Sequence, residues 1–287
     1  TTNGGIAKAT NAGLAKATGT WVALLDHDDV IAPHAFKVIA NTLAQHPEAR
    51  FVYTDELVVD DKLAPQGVML KPAYDAVLLT GVNYINHFSL YRRERLERIG
   101  YLRLGFDGSQ DYDLLLRYLE GIPESQILHL PYLAYWWRRT AATYSQKFIE
   151  TATAAARTAI KDRFARGGTA VTVKPALTST LHRVEFAVDN ETDWPKISII
   201  IPNRDKFDLI STILGNLYER TDYPEFEVLV IDNGSTDPKV LELYADYERT
   251  KPGFRALIKE EKFNFSRSIN RGMFNASGEH FLLLNND

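Results

Sequence analysis

The sequence predicts an α/β fold, a mostly parallel sheet flanked by helices, present as two partial copies. Two segments, KISIII (196–201) and FEVLVI (226–231), are near-continuous β-branched runs, the pattern of strands covered on both faces. Each is followed by a stretch of helical length, KFDLISTILGNLYER and PKVLELYADYER, so the order is β-α-β-α, a doubly wound nucleotide-binding half. The third observation is a repeat. NRGMFNASGEHFLLLNND (270–287) matches NAGLAKATGTWVALLDHD (11–28), with Asn, Gly, Ala and a second Gly in register at an offset of 270 − 11 = 259 residues. Two copies of one domain type of about that length explain it. The chain then reads as a window holding the later part of one copy and the earlier part of the next.

In chain order, a helix is expected over roughly residues 6–18, closed by Gly19, and then a strand over Trp21–Leu25. Pro33 suits the first turn of a second helix that ends near His46 and Pro47. RFVYTDELVV reads as the next strand, with a hairpin around DDKLAPQG, and RRERLERIG as a short helix. SQDYDLLLRYLEG is a helix with Ser109 as N-cap and Gly121 past its end. Residues 144–167 carry the longest helical pattern, and TAVTVKPALTSTLHRVEFAV alternates like short antiparallel strands. DNETDWP (189–195) is polar and ends in proline, so the main boundary falls there, separating 1–188 from 196–287. In doubly wound sheets ligands bind beyond the carboxyl ends of the strands, here PNRD (202–205) and DNGSTD (232–237).

Composition narrows the function classes. A net charge of −4 with no basic stripe argues against nucleic acid as the partner. The absence of cysteine removes disulfide, thiol and thiolate–metal chemistry, and fits a reducing compartment. No run of about 18 apolar residues is present to cross a membrane. The opening TTNGGIAKATNAG has neither the charged start nor the apolar stretch of a signal peptide and reads as the middle of a domain.

The chemistry concentrates in WVALLDHDDV, where an apolar strand runs into acids. If extension continues past Leu25, Asp26 and Asp28 project to one side, with Asp29 on the turn. Two convergent carboxylates make a hard oxygen site for Mg²⁺ or Mn²⁺, able to bind phosphate oxygens as well. The competing reading is an acidic turn leading into a helix, with Asp29 as its cap.

NAGLAKATGTWVALLDHDDVIAPHAF resembles the middle of family 2 glycosyltransferases of the GT-A fold: N-x-G-x-x-x-A-x-G, a strand, then D-x-D-D. YTDELVVDDKLAPQGVMLKPAYDAVLLTGVNYINHFSLYRRERLERIG and GFDGSQDYDLLLR continue the likeness, to a bacterial branch acting in O-antigen and related surface-polysaccharide synthesis. PKISIIIPNRDKFDLI and VLVIDNGSTDP resemble the start of another domain of the same family.

This resemblance implies transfer of a sugar from a UDP- or dTDP-sugar to a glycan acceptor, dependent on Mn²⁺ or Mg²⁺ and with inversion. It implies a glycan acceptor, free or lipid-linked, and a setting in the cytoplasm or at the inner membrane's cytoplasmic face. Carried over by position, Asp26 and Asp28 are the pair for metal and donor diphosphate, and Asp111 is the general base. Residue by residue, the alternative for Asp111 is an acid placed by the helix dipole, which would weaken it as a base. Asp232 matches the acid that reads the nucleobase, and Pro202, Asn203 and Asp205 the loop that contacts base and ribose. DNGSTD taken alone is an ordinary turn.

The chain also departs from the family pattern. Trp136 stands where relatives often carry a metal-assisting histidine, and Asn285 and Asn286 replace Asp26 and His27 in the echo, leaving Asp287 as its acid. Lys71 and Arg138 are candidates for phosphate contact or for plain solvated surface. Residues 196–287 and 20–140 have complementary missing strands, so a shared sheet, within a chain or swapped in a dimer, is a further expectation. Two other function classes compete: a non-catalytic sugar-nucleotide or polysaccharide-binding scaffold, and a nucleotidyltransferase. A nucleotidyltransferase would carry a glycine-rich basic start that IIIPNRDKFDL lacks.

Overall fold

The computed structural model describes residues 4–139, 149–187 and 194–287. The chain divides into two compact units, residues 1–187 and 188–287. The first five positions of the helix expected over 144–167, and most of the boundary segment 189–195, lie outside the described residues.

The first unit begins with α1 (Gly5–Leu14), β1 (Trp21–Ala23), β2 (Val30–Ile31), α2 (Ala35–Gln45), β3 (Phe51–Val59), β4 (Pro65–Met69) and α3 (Ala76–Gly81). It continues with β5 (Ser89–Arg92), α4 (Arg93–Ile99), α5 (Gln110–Leu119), β6 (Ile127–Arg138), α6 (Ile149–Arg166), β7 (Val171–Pro175) and β8 (His182–Phe186). The main sheet runs β1-β5-β3-β6-β2, with β4 paired to the outer part of β3. Within it β3 and β6 are parallel, and the other pairings are antiparallel. Strand alternation decides the core. Phe51 and Tyr53 face a layer built by Leu96, Leu114, Tyr118 and Ile160, while Val52 faces Ile39, Phe88, Ala134 and Tyr135. The β3–β4 and β7–β8 hairpins are present where alternation and turn residues suggested them.

Two boundaries differ from expectation in ways that matter. Helix α1 stops at Leu14 rather than near Gly19, with the amide of Ala15 already bonded back to Asn11. Asn11 itself donates to the Leu102 carbonyl (2.9 Å) and accepts the Leu102 amide (3.0 Å), tying α1 to the loop before α5. Strand β1 stops at Ala23, so the backbone is no longer extended when it reaches the acids.

In the second unit, β9 (Ile197–Asn203), α7 (Phe207–Arg220), β10 (Phe226–Asp232) and α8 (Pro238–Thr250) alternate as expected. They are followed by β11 (Phe254–Ile258), α9 (Phe265–Asn275) and β12 (His280–Leu283). The order β11-β10-β9-β12 is parallel throughout. Ile199 and Ile201 pack on Ile210, Leu214, Val240 and Tyr244 from α7 and α8. Ile200 and Ile231 face Ile269 of α9 on the other side. The connection therefore changes face after β11, and β9 and β12 flank the switch point where doubly wound sheets bind ligands.

Candidate active site

Past β1, residues 26–29 form a turn closed by the Asp29 amide on the Asp26 carbonyl (3.2 Å). A turn brings its first and fourth residues together, so Asp26 meets Asp29, not Asp28. The expected projection of Asp26 and Asp28 from one strand face is thus corrected, because the strand has already ended. Asp28 points outward beside His27, at 3.8 Å. Asp29 is anchored by two donors, the Tyr135 hydroxyl (2.5 Å) and the Arg138 amide (2.7 Å), both from β6. It does not cap α2, whose N-cap is His34.

The third member comes from the segment before β5. Ligand atoms of Asp26, Asp29 and His87 all lie within 4.8 Å of one another. His87 Nε2 is 3.7 Å from Asp26 Oδ2, and Nδ1 is 3.2 Å from Glu56 Oε2. Partial burial raises the Asp26 carboxyl above its ordinary range; His87 opposes this, and the charges of Asp29 and Asp28 add to it. Two carboxylates and an imidazole suit a divalent cation that leaves coordination positions open, so the donor set fits Mn²⁺ or Mg²⁺. Arg138 adds an unusual feature: its buried Nε has no hydrogen-bond partner among the described residues.

Asp111 lies in the first turn of α5 and accepts from Asn83 Nδ2 at 3.2 Å. Burial raises its pKa despite hydrogen bonds from the α5 amides, the nearby His87 and Asn83. Helix position alone would have weakened it as a base; burial reverses the sign. The buried Asn83 Oδ1 beside it is unpartnered among the described residues. Asp111 and Asp26 both act electrostatically on His87, which locates all three in one neighbourhood.

Lys71 is neither phosphate-facing nor solvated. It is 7% exposed and forms a 2.7 Å ion pair with Glu56, which is 1% exposed. His129 is likewise committed elsewhere, to Asp55 at 2.8 Å. Trp136 pairs in register with Val30 across the β6–β2 ladder.

In the second unit, Asn203 and Asp232 end neighbouring parallel strands and are register partners. Asp232 is fully buried and accepts from the Ser235 amide (2.6 Å), the Ser235 hydroxyl (2.5 Å) and the Tyr244 hydroxyl (2.8 Å). Asn203 donates to Tyr244 and accepts from Asn286 beyond β12, both at 2.6 Å. Asp205, which follows Pro202 and Asn203 and has a positive φ of 51°, accepts the amides of Thr236 and Asp237, which lower its pKa. These bonds join the two strand-end loops into one platform. Asp287 is exposed.

The family model described as Glycosyl transferase family 2 matches residues 1–100 and 198–287. The chain belongs to glycosyl transferase family 2. Its mixed α/β architecture is of the GT-A type expected from the resemblance. It is similar to "O-antigen biosynthesis protein RfbC" of Myxococcus xanthus, 36% identical over 290 residues, covering all of this chain and 22% of that protein. It is also similar to "Uncharacterized protein y4gI" of Sinorhizobium fredii (strain NBRC 101917 / NGR234), 33% identical over 296 residues, covering 99% of this chain and 31% of that protein. The chain thus spans about a third or less of these relatives. Among solved structures, the mannosyltransferase PcManGT from Pyrobaculum calidifontis, in complex with GDP-Man and Mn²⁺, aligns over 33% of this chain and 28% of its own, at 28% identity and a TM-score of 0.31.

Sequence reasoning singled out Asp26 and Asp111, missed His87 and Glu56, and read Lys71 as a phosphate contact or plain surface rather than a buried ion-pair partner. Glu56, Lys71 and His87 lie 30–61 residues after Asp26, in YTDE, MLKP and YINHF, and no spacing rule links them. An acid and a lysine inside otherwise apolar segments were the available signal of buried pairing.

Proposed function

We propose that this chain is part of a glycosyltransferase that moves a sugar from a UDP- or dTDP-sugar to a hydroxyl of a glycan acceptor in surface-polysaccharide synthesis, with inversion. The observation that carries this reading is the convergence of Asp26, Asp29 and His87 next to a base-like Asp111 in a family 2 chain. Asp26, Asp29 and His87 would hold a divalent cation, which when bound offsets the charge that develops on the departing diphosphate. Asp111 takes the acceptor hydroxyl's proton as that oxygen bonds to the anomeric carbon and the nucleoside diphosphate leaves. Asn83 Oδ1, unpartnered among the described residues, would orient the same hydroxyl, and Arg138 supplies positive charge for the diphosphate. Asp28, exposed on the turn, and Asp287 stay candidates for the outer rim of their metal sites. The acceptor on this reading is a lipid-linked glycan at the cytoplasmic face of the inner membrane.

Residues 196–287 would be the nucleotide-binding part of a second such domain, and residues 1–188 the metal and acceptor part of a first. Local structure supports that division. Helix α1 and strand β1 correspond to α9 and β12 at the repeat offset. In that platform Asp205 and Pro202 would face base and ribose, with Asn203 and Asp232 shaping the loop from beneath.

Product analysis tests the reaction. Incubation with Mn²⁺, a panel of nucleotide sugars and a glycan acceptor should release nucleoside diphosphate and lengthen the glycan. Release of pyrophosphate would instead mark a nucleotidyltransferase. Binding without turnover, unchanged by Asp111→Asn, would mark a scaffold.

A further inference from the structure

His87 has an unusually complete set of restraints. Its amide donates to Glu56 Oε1 (3.3 Å), its ring Nδ1 sits 3.2 Å from Glu56 Oε2, and its carbonyl accepts from Lys71 Nζ. The ring stacks on Tyr135 with centroids 4.7 Å apart and planes 9° from parallel, and Trp137 closes the side at 5.8 Å. Tyr135 is the same residue whose hydroxyl holds Asp29 and meets the Asp26 amide (3.4 Å). Every polar atom of His87 except Nε2 is therefore committed, and Nε2 faces Asp26.

The restraining pair is itself out of water: the side chains of Lys71 and Glu56 are 3% and 1% exposed. Burying two charges is costly, and an apolar pair of similar volume often packs as well or better, so such a pair calls for a purpose beyond stability. Glu56 Oε1 receives both the His87 amide and the Lys71 ammonium, which leaves Oε2 to face the ring. With Glu56 Oε2 as the acceptor facing Nδ1, Nε2 is the ring nitrogen turned towards Asp26.

We propose that His87 is the nitrogen ligand of this metal site and that the buried Lys71–Glu56 pair is the device that positions it. The inference rests on the reading that Asp26 and Asp29 bind a divalent cation. Glu56 and Lys71 touch neither metal nor substrate; they are positioning residues, acting through His87. In metal sites such outer partners fix the imidazole's tautomer and raise its basicity.

The test uses the 287-residue chain labelled with ¹⁵N-histidine, Mn²⁺ alone and Mn²⁺ with UDP, read by electron paramagnetic resonance. Bound Mn²⁺ should show coupling to one histidine nitrogen, lost in His87→Ala and retained in His27→Ala. Affinity for Mn²⁺ should fall about 10–100-fold in His87→Ala, and about tenfold in the charge-free double variant Lys71→Met with Glu56→Gln. Nitrogen chemical shifts of the metal-free wild type should show His87 protonated at Nδ1, an observation that needs no variant to fold. Coupling that survives His87→Ala, or a ring protonated at Nε2 alone, overturns the proposal. A folded double variant that binds Mn²⁺ like the wild type overturns the positioning role. Asp26→Ala separates the two levels. If it abolishes Mn²⁺ binding while the wild type shows no nitrogen coupling, the metal reading stands and this inference falls; if the wild type binds no Mn²⁺, both fall.

Discussion

Asp111 carries opposite demands on stability and chemistry. Because burial raises its pKa, the folded state holds the proton more tightly than the unfolded chain, and its ionisation near neutral pH weakens the fold. Asp111→Asn removes that penalty, so the variant should melt at a higher temperature at pH 7 while losing about 10²–10⁴-fold in transfer rate. The acidic limb of the rate profile should also lie above the range of an ordinary carboxylate, because the base acts only when deprotonated. Calorimetric melting and the pH dependence of kcat/KM check both halves. Glu227 shows the reverse sign. Burial acts to raise its pKa, but bonds from Ser198 and Ser277, with Lys196 nearby, bring it down to about 2. The folded state thus favours its charge, and the stability it adds is complete above the usual carboxylate range and lost as pH falls towards 2. Glu227→Gln should cost on the order of 2 kcal/mol at pH 7 and much less at pH 3, measured by urea unfolding.

Among the elements, the repeated helices give a matched pair of experiments. A Cβ on Gly272 of α9 would come within 2.4 Å of Ile200 Cγ2 and 3.2 Å of Ile231, whereas one on Gly13 of α1 would meet nothing within 4 Å. Gly272→Ala should therefore destabilise the second unit by about 1–3 kcal/mol through overpacking. Gly13→Ala should be neutral or stabilise by up to about 1 kcal/mol through helix propensity. Equal costs in thermal unfolding would show that the two helices are used alike, against the division proposed above. At the buried pair that joins β3 to the segment after β4, Glu56→Ala or Lys71→Ala alone should cost about 3–5 kcal/mol by stranding a buried charge, while the double variant Lys71→Met with Glu56→Leu should cost far less. The elements themselves were largely legible. Continuous β-branched runs named β9 and β10, and Ser109 and Gly121 bracket α5 as expected, although the Ser109 hydroxyl donates to the Ala152 carbonyl instead of capping the helix. What could not be read was where β1 stops, because Leu24 and Leu25 prolong the apolar run after Ala23 without prolonging the strand. That single boundary changed the partner of Asp26 from Asp28 to Asp29.

On the scale of the whole molecule, the family and the repeat were carried by motifs that lie close together in sequence, which is why they were visible. The site was legible only in part, since its members come from the turn after β1, the interior of β3, the segment before β5, the start of α5 and the end of β6. Local patterns report on helices and strands; they do not report which side chains a sheet order brings together. Both units share one local grammar, α then β, yet among the described residues the first gathers Asp26, Asp29 and His87 past that strand, while in the second the strand-end acids Asp205 and Asp232 are taken up by amides and hydroxyls. On the proposed reading the first would hold the cation and the second the base and ribose. The most direct test of the central claim is calorimetric titration of the chain with UDP and dTDP, with and without Mn²⁺, on wild type and Asp26→Ala. Nucleotide binding that Mn²⁺ strengthens, and that Asp26→Ala weakens to the metal-free level, is the predicted result. Binding indifferent to both Mn²⁺ and Asp26 would contradict it.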